Sequence, residues 1–234
     1  MNSKYQLLHE RIGPSGISTP TLSDALDASG VASAVLPSSV TQLGGAAPGL
    51  VFGEAYTVSW VPVRKGPRIQ DPAPSTWSSV RDFLVPDVTD GTGRVYVGGA
   101  GDVLTEGALA GGLSSTYLLE VLQFEAMVLG GAIRDFDVVD RLRSPVFASN
   151  FIPTDTQGGY RVESAGQSCR IGDVVVRTGD WVFADRNGVV VLGDDVVLDV
   201  VDLAVEIDGH ESATLARVRA GERLIDLVDE SGRI

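Results

Sequence analysis

The chain has 234 residues, of which 18 are basic and 31 acidic, giving a formal charge of −13, and 44% are hydrophobic. A chain of this length buries about 70% of its unfolded surface and needs no disulfide or structural metal to fold. Its single cysteine, Cys169, excludes a disulfide framework and any CxxC zinc site, and the acidic balance argues against nucleic-acid and anionic-membrane partners.

Residues 1–16 are polar, lack the apolar stretch of a secretion leader, and are expected to be loosely ordered. Ser18-Thr19-Pro20 followed by Leu22, Ala25 and Leu26 predicts a helix start, with proline in the first turn and Ser29-Gly30 as its end. Residues 50–63 read as a strand rich in Val, Tyr, Thr and Trp. The segment 64–93 holds four prolines and reads mostly as loop, with a helical stretch from Ser75 to Phe83 and the length of a functional insertion or lid.

From Arg94 the pattern sharpens. Arg94-Val95-Tyr96-Val97 is a buried strand that runs into Gly98-Gly99-Ala100-Gly101, and Gly111-Gly112-Leu113-Ser114-Ser115 opens a helix placed at 114–125 with Leu118, Leu119 and Leu122 inward. Ala126–Leu129 is the next strand and leads into Gly130-Gly131-Ala132-Ile133-Arg134-Asp135. A helix over Phe136–Arg141 and a strand at Pro145–Ala148 come next. Val174–Val176 and Trp181–Ala184 flank the turn signal Thr178-Gly179-Asp180. Asp185-Arg186-Asn187-Gly188 then predicts a hairpin, Asn187-Gly188 suiting a type I′ turn. A last helix spans about 195–220 before Gly221. Alternating strands and helices without an evident linker imply one α/β domain with a mixed sheet over residues 1–234, ending in a C-terminal helix and tail at 195–234.

Chemistry concentrates at two glycine-rich strand ends. Gly112, Leu113, Ser114 and Ser115 are expected to present free amides at a helix start, where an anion is favoured. Arg134 can clamp a carboxylate with two parallel hydrogen bonds, and Asp135 can hold a divalent cation through oxygen. Together they would stabilise an enolate, with amides and arginine on the acid group and a metal on the keto oxygen. The blander reading is that such glycines only make turns and that the Arg-Asp pair is structural. His9 and His210 lie near the ends in no zinc spacing and read as exposed. Cys169 reads as semi-buried, and Trp60, Trp77 and Trp181 as core or interface anchors. There is no GxSxG elbow, P-loop or dinucleotide fingerprint.

The order of these motifs resembles the RraA-like family, which contains the 4-hydroxy-4-methyl-2-oxoglutarate/4-carboxy-4-hydroxy-2-oxoadipate aldolases and the regulators of ribonuclease E activity. The match is carried by Leu22-Ser23-Asp24-Ala25-Leu26, by Gly111-Gly112-Leu113 with Gly131-Ala132-Ile133-Arg134-Asp135, by Pro145–Ala148, and by Val174–Asp180 through Ala184–Val191. The resemblance implies a swivelling β/β/α domain, mixed sheets flanked by helices, assembled as a homotrimer or homohexamer. It implies a Mg2+ or Mn2+ cofactor and a small 2-oxo acid substrate; the single cysteine and the lack of a leader or spanning segment give the expectation of a cytoplasmic protein. Arg134 and Asp135 become the catalytic pair, Arg134 on the carboxylate and keto oxygen and Asp135 on the metal. The amides around Ser114 and Ser115 hold the carboxylate, and Glu211 is matched to a metal-site carboxylate from a neighbouring subunit's C-terminal helix. The implied activity is a metal-dependent lyase working through a pyruvate-type enolate, by retro-aldol cleavage or oxaloacetate decarboxylation. A regulatory binding protein and an isomerase or hydratase reusing the site are the alternatives. Three departures stand out. Leu113 occupies the place, twenty-one positions before Arg134, where the aldolases carry an acid, with Asp102 and Glu106 just upstream as compensating acids. Gln123 and Ala126 replace family glycines, and the unlike 64–93 segment points to a different substrate.

Overall fold

The structure, a computed structural model, describes residues 3–31, 35–46, 49–63 and 76–232. The chain opens with helices α1 (Ser3–Ile12) and α2 (Thr19–Ser29), followed by strands β1 (Thr41–Gly44), β2 (Val51–Pro62), β3 (Arg94–Gly99) and β4 (Leu104–Ala110). Then come α3 (Gly112–Thr116), β5 (Ala126–Leu129), β6 (Gly131–Ile133), α4 (Phe136–Val139) and β7 (Val146–Ala148). Strands β8 (Tyr160–Ala165), β9 (Ser168–Ile171), β10 (Val174–Arg177), β11 (Trp181–Asp185) and β12 (Gly188–Leu192) precede α5 (Val197–Arg219) and α6 (Leu224–Ser231).

The main sheet has the order β1-β7-β5-β3-β2-β11-β12, with β8 also pairing with β2. Its centre is parallel (β2, β3, β5, β7) and its flanks are antiparallel. The central strands are near-continuous apolar runs, as Val95–Val97 and Met127–Leu129 show, because both faces are covered. One face packs under α1, α2 and α5 through Leu22, Leu26, Trp181, Phe183 and Val200; the β9–β10 hairpin covers another part through Cys169, Ile171 and Val176. This is the α/β architecture of mixed sheets flanked by helices that the family resemblance implied.

Helix α2 forms as its sequence dictates. The Ser18 hydroxyl accepts from the Thr21 amide, Pro20 sits in the first turn, and Gly30 closes the helix in the left-handed region. The expectation of a loose N-terminus is corrected. Tyr5, Leu8 and Ile12 recur at helical spacing, and Leu8 and Ile12 are buried beneath the sheet-covering helices, so packing holds a helix that propensity alone would not. The expected helix at 75–83 is instead two 3-10 turns, Thr76–Ser79 and Arg81–Leu84; residues 64–75 lie outside the described residues. The expected 114–125 helix begins at Gly112, passes through a π-helical turn at Tyr117–Val121 and stops at Gln123, whose φ is +62°. Leu118, Leu119 and Leu122 do face inward. The expected α4 shortens to a single turn. At the β11–β12 hairpin, Asp185 pairs with Gly188, so Arg186-Asn187 form the turn rather than Asn187-Gly188. Neither turn residue has positive φ, and the Asp185 carboxylate organises the turn by accepting from the Asn187 amide at 2.7 Å.

Candidate functional site

Strands β4 and β6 form a small parallel pair in which Ala110 lies beside Ile133. Both strands therefore end on the same side, which sets Gly111-Gly112, at the end of β4, against Arg134-Asp135, at the end of β6. The Arg134 amide donates to the Ala110 carbonyl at 3.2 Å, which locks the two ends in register. Leu109, Ala110 and Ile133 are anchored in the apolar cluster beneath, with Tyr96, Leu118 and Met127.

The contacts around this junction leave no room for a side chain at Gly111. A Cβ there would come to 2.7 Å from Asp135 Oδ2 and 3.0 Å from Arg134 Cγ and Nε. At Gly112 it would come to 2.8 Å from Val138 Cβ, so this glycine lets α3 close on α4. Asp135 itself is held in the left-handed region, φ +67°, an uncommon conformation for a residue with a side chain. Its Oδ2 accepts from the Gly112 amide at 2.8 Å and lies 3.7 Å from Arg134 Nε. The Ser114 hydroxyl folds back onto Gly111, 3.0 Å from both its N and its O. The Ser115 amide donates to the Gly111 carbonyl at 2.9 Å. The amides of Leu113 and Ser114 are left without an acceptor among the described residues, as the first turn of a helix leaves them.

Arg134 has a second carboxylate partner that the sequence did not point to. Asp155 Oδ2 lies 3.1 Å from Arg134 Nη1. Its Oδ1 accepts from the Gln157 amide at 2.9 Å. Asp155 is placed by the 150–157 segment, which runs along both strands: Ile133 N donates to Asn150 O, Ala108 N to Thr154 O, and the buried Thr156 hydroxyl to Ala108 O. The only sequence signal for it was the turn-forming Asp155-Thr156-Gln157-Gly158 stretch.

Arg134, Asp135 and Asp155 line a cavity of about 450 Å3, together with Gly111, Leu113 and Ser114. Much of the rest of the lining is apolar or aromatic and includes Trp60, Trp77, Val80, Phe83, Leu84 and Tyr117. Of the predicted site residues, the structure thus gathers Leu113, Ser114, Arg134 and Asp135. Gly112 is spent differently from expectation, its amide being taken by Asp135. Ser115 is corrected: its amide is taken by the Gly111 carbonyl at 2.9 Å, and its side chain is 0% exposed, the hydroxyl 3.8 Å from Met127 Sδ in the core. Glu211 lies on α5 in a separate groove between α5 and α6, so one chain alone does not bring it to Asp135. Leu113 is 90% exposed. Asp102 faces Arg170 at 3.5 Å, and neither it nor Glu106 lines the cavity, so the expected compensation is not made there. Gly98–Gly101 is structural: a Cβ on Gly99 would meet the Arg170 carbonyl at 2.5 Å.

The donor set suits a hard dication in a spare form. Asp135 Oδ2 is engaged, and Oδ1 has no partner among the described residues. Magnesium and manganese keep several waters and take one or two carboxylates, usually alongside substrate oxygens. No group of three or more His, Cys, Asp or Glu gathers as a metal cluster among the described residues. Asp135 would therefore be the one carboxylate that the described residues of this chain offer such an ion. His9 and His210 are exposed, and Cys169 is buried, its thiol pushed up to about 12 by burial, which an amide contact from Gly99 only partly offsets. Trp60 and Trp181 are core residues as read, whereas Trp77 is half exposed. No helix among the described residues is long and apolar enough to cross a membrane.

A family model for the RraA-like group, Aldolase/RraA, matches residues 19–191. The chain is 29% identical over 207 residues to Protein DlpA of Legionella pneumophila subsp. pneumophila, an alignment covering 87% of this chain and 30% of that protein. It is 32% identical over 106 residues to a protein of Pseudomonas aeruginosa (strain LESB58) provisionally named 4-hydroxy-4-methyl-2-oxoglutarate aldolase, covering 44% of this chain and 57% of that one. The chain thus spans under a third of the length of the first relative and little over half of the second. Among solved structures, RraAS2 of Streptomyces coelicolor, described as an unusual member of the RNase ES inhibitor RraA protein family, has the same fold. Its TM-score is 0.70 at 24% identity, over 93% of this chain and 98% of that one.

Proposed function

Since this chain belongs to the RraA-like family, we propose that it is a divalent-metal-dependent lyase acting on a small 2-oxo acid through a pyruvate-type enolate. The observation that carries this reading is the meeting of Arg134, Asp135 and the unpaired Leu113 and Ser114 amides on one cavity. In that arrangement the guanidinium and the two amides bind the substrate carboxylate and the neighbouring keto oxygen. Asp155 and Asp135 restrain the guanidinium from either side, which fixes its orientation before substrate arrives. Asp135 would hold Mg2+ or Mn2+, which when bound supplies Lewis-acid polarisation of an adjacent oxygen. In a homotrimer or homohexamer, Glu211 of the partner subunit would be a further carboxylate near that ion.

The bond chemistry is the same for either 2-oxo acid substrate class. In retro-aldol cleavage, the bond between the third and fourth carbons breaks and its electron pair enters the enolate. The proton of the hydroxyl on the fourth carbon leaves to solvent as that carbon becomes a carbonyl. The enolate then takes one proton at the third carbon and leaves as pyruvate. Decarboxylation of oxaloacetate reaches the same enolate with carbon dioxide as the leaving group. Arg134 stabilises the negative charge that both routes develop.

The test is a coupled lactate dehydrogenase assay for pyruvate from a panel of 4-hydroxy-2-oxo acids and oxaloacetate, with Mg2+ or Mn2+. Pyruvate release that disappears in both Arg134→Ala and Asp135→Ala supports the reading; no pyruvate from any member of the panel overturns it. The exposed apolar Leu113, standing where an acid is expected, favours one second reading: a non-catalytic binding protein of the ribonuclease-regulator type. Stoichiometric recovery of a protein partner by a chain that binds no metal would select it.

A further inference from the structure

The cavity lining is of two kinds, polar groups at the β4 and β6 strand ends and apolar groups from β2 and the 76–84 segment, and the difference bears on what the substrate carries beyond its acid group. Arg134 is the only cationic side chain among the described residues lining it, and it already faces two carboxylates, so the trio carries a formal charge of −1. One carboxylate of a ligand can take the guanidinium and the Leu113 and Ser114 amides. A second would meet no other cation among the described residues of the lining. The apolar part of the lining is built from Trp60, Val80, Phe83 and Leu84, with the Trp60 and Phe83 rings 5.6 Å apart. An unpaired charge placed against such a surface is strongly disfavoured, whereas each apolar group placed there is gained from water.

One further observation indicates that this apolar part is meant to be filled. A cavity of about 450 Å3 is of the size that holds a ring-bearing ligand, and pyruvate alone leaves most of it empty.

Resting on the enolate-site reading above, we propose that the substrate is a monocarboxylic 2-oxo acid whose distal part is apolar and of aromatic size. In the cleavage direction this is a 4-hydroxy-2-oxo acid with an aryl or bulky alkyl group on the fourth carbon, yielding pyruvate and an apolar aldehyde by the bond changes already given. Leu84 and Trp77 are the specificity-determining side chains, since both line the cavity and come from the 76–84 segment rather than from the strand ends that carry Arg134.

The experiment is calorimetric titration, with Mg2+ present, of phenylpyruvate, pyruvate and oxaloacetate into the full chain and its variants. Phenylpyruvate is expected to bind at least tenfold more tightly than either of the others. Leu84→Asp is expected to lower the phenylpyruvate-to-pyruvate affinity ratio at least fivefold. Trp77→Ala, at a half-exposed position, does so without burdening the fold. Equal binding of phenylpyruvate and pyruvate, or tighter binding of oxaloacetate, with all of it lost in Arg134→Ala, overturns the apolar-tail proposal and leaves the enolate site standing. Binding of none of the three, or binding indifferent to Arg134→Ala, overturns the enolate site and this proposal with it.

Discussion

Asp185 falls in the most motif-like stretch of the C-terminal half, Ala184-Asp185-Arg186-Asn187-Gly188, yet its geometry marks it as a scaffold carboxylate. It is buried and accepts four hydrogen bonds: from Thr19 N at 2.9 Å, Thr19 Oγ1 at 2.7 Å, Asn187 N at 2.7 Å and Asn187 Nδ2 at 3.1 Å. It thereby ties the β11–β12 turn to the first residue of α2. Asp185→Ala strips the acceptor from two donors on the buried Thr19 and from the turn. Hydrogen bonds to a charged group are worth about 1.5–3 kcal/mol each and are not additive, so a loss of about 4 kcal/mol is expected. For a chain of this size that lowers Tm by about 8–16 °C. Asp185→Asn keeps one acceptor oxygen and should lose about half as much. Urea unfolding followed by tryptophan fluorescence measures both, with an unchanged slope confirming that only stability moved. Burial pushes the Asp185 carboxyl up, but the bonds from Thr19 and Asn187 outweigh it and leave the group below the ordinary carboxylate value. A depressed folded-state value means the stabilisation is complete above the unfolded carboxylate pKa, about 3.9, and is lost as the pH falls through the folded one. The gap between wild type and Asp185→Asn should therefore be full at neutral pH and close under acid. An Asp185→Ala protein within about 0.5 kcal/mol of wild type, or a gap that widens on acidification, would refute the assignment.

Three further outcomes are expected. Gly111→Ala, at an extended backbone position with φ −143°, should fold normally but drive its new methyl into Asp135 and Arg134, lowering lyase activity at least about a hundredfold; circular dichroism and the pyruvate assay check the two halves separately. Leu113→Asp adds a charge at a fully solvated point of the cavity rim. A unit pair in water is worth about 1 kcal/mol at contact and twice that for a dication, so Mn2+ affinity by electron paramagnetic resonance should rise about tenfold or more, and an unchanged affinity would place the ion elsewhere. The Cys169 thiol, 3.8 Å from the Val97 carbonyl and raised by burial to about 12, should resist a disulfide reagent at pH 8 in the native state and react at once in denaturant.

What could be read in the sequence was local and periodic. Ser18-Thr19-Pro20 with Gly30 carries both ends of α2 in residue types that act on their own neighbours. Runs such as Val95–Val97 and Met127–Leu129 declare themselves because parallel strands are covered on both faces. The elements that escaped depend on partners distant in the chain. Helix α1 is stable because Leu8 and Ile12 find cover, aided by Arg11 reaching Asp202 on α5. Strand β4 reads Leu-Thr-Glu-Gly-Ala-Leu-Ala, without a β-branched run, and exists because β6 and the 150–157 segment pair with it. The hairpin turn was placed one residue late because the Asp185 side chain supplies a turn geometry that the Asn-Gly pair would otherwise have provided.

The site divides along the same line. Glycine at 111 and 112 and the Arg134-Asp135 pair were visible because close backbone approach and an anion clamp each demand those residue types. Asp155 was not, since nothing in an Asp-Thr-Gln-Gly turn says that it will arrive beside an arginine twenty-one residues earlier in the chain. Yet Asp155 changes the chemistry that can be expected. With Leu113 giving no oxygen and Asp102 turned to Arg170, the acid nearest Arg134 besides Asp135 is committed to the guanidinium and to the Gln157 amide. Affinity for a dication then rests on Asp135 together with whatever oxygens the substrate and a neighbouring copy contribute. Metal binding should accordingly strengthen when the 2-oxo acid is present, and by reciprocity the acid should bind more tightly with metal. Calorimetric Mg2+ titrations with and without pyruvate measure both sides of that coupling, and equal affinities in the two would mean that ion and acid do not share this cavity.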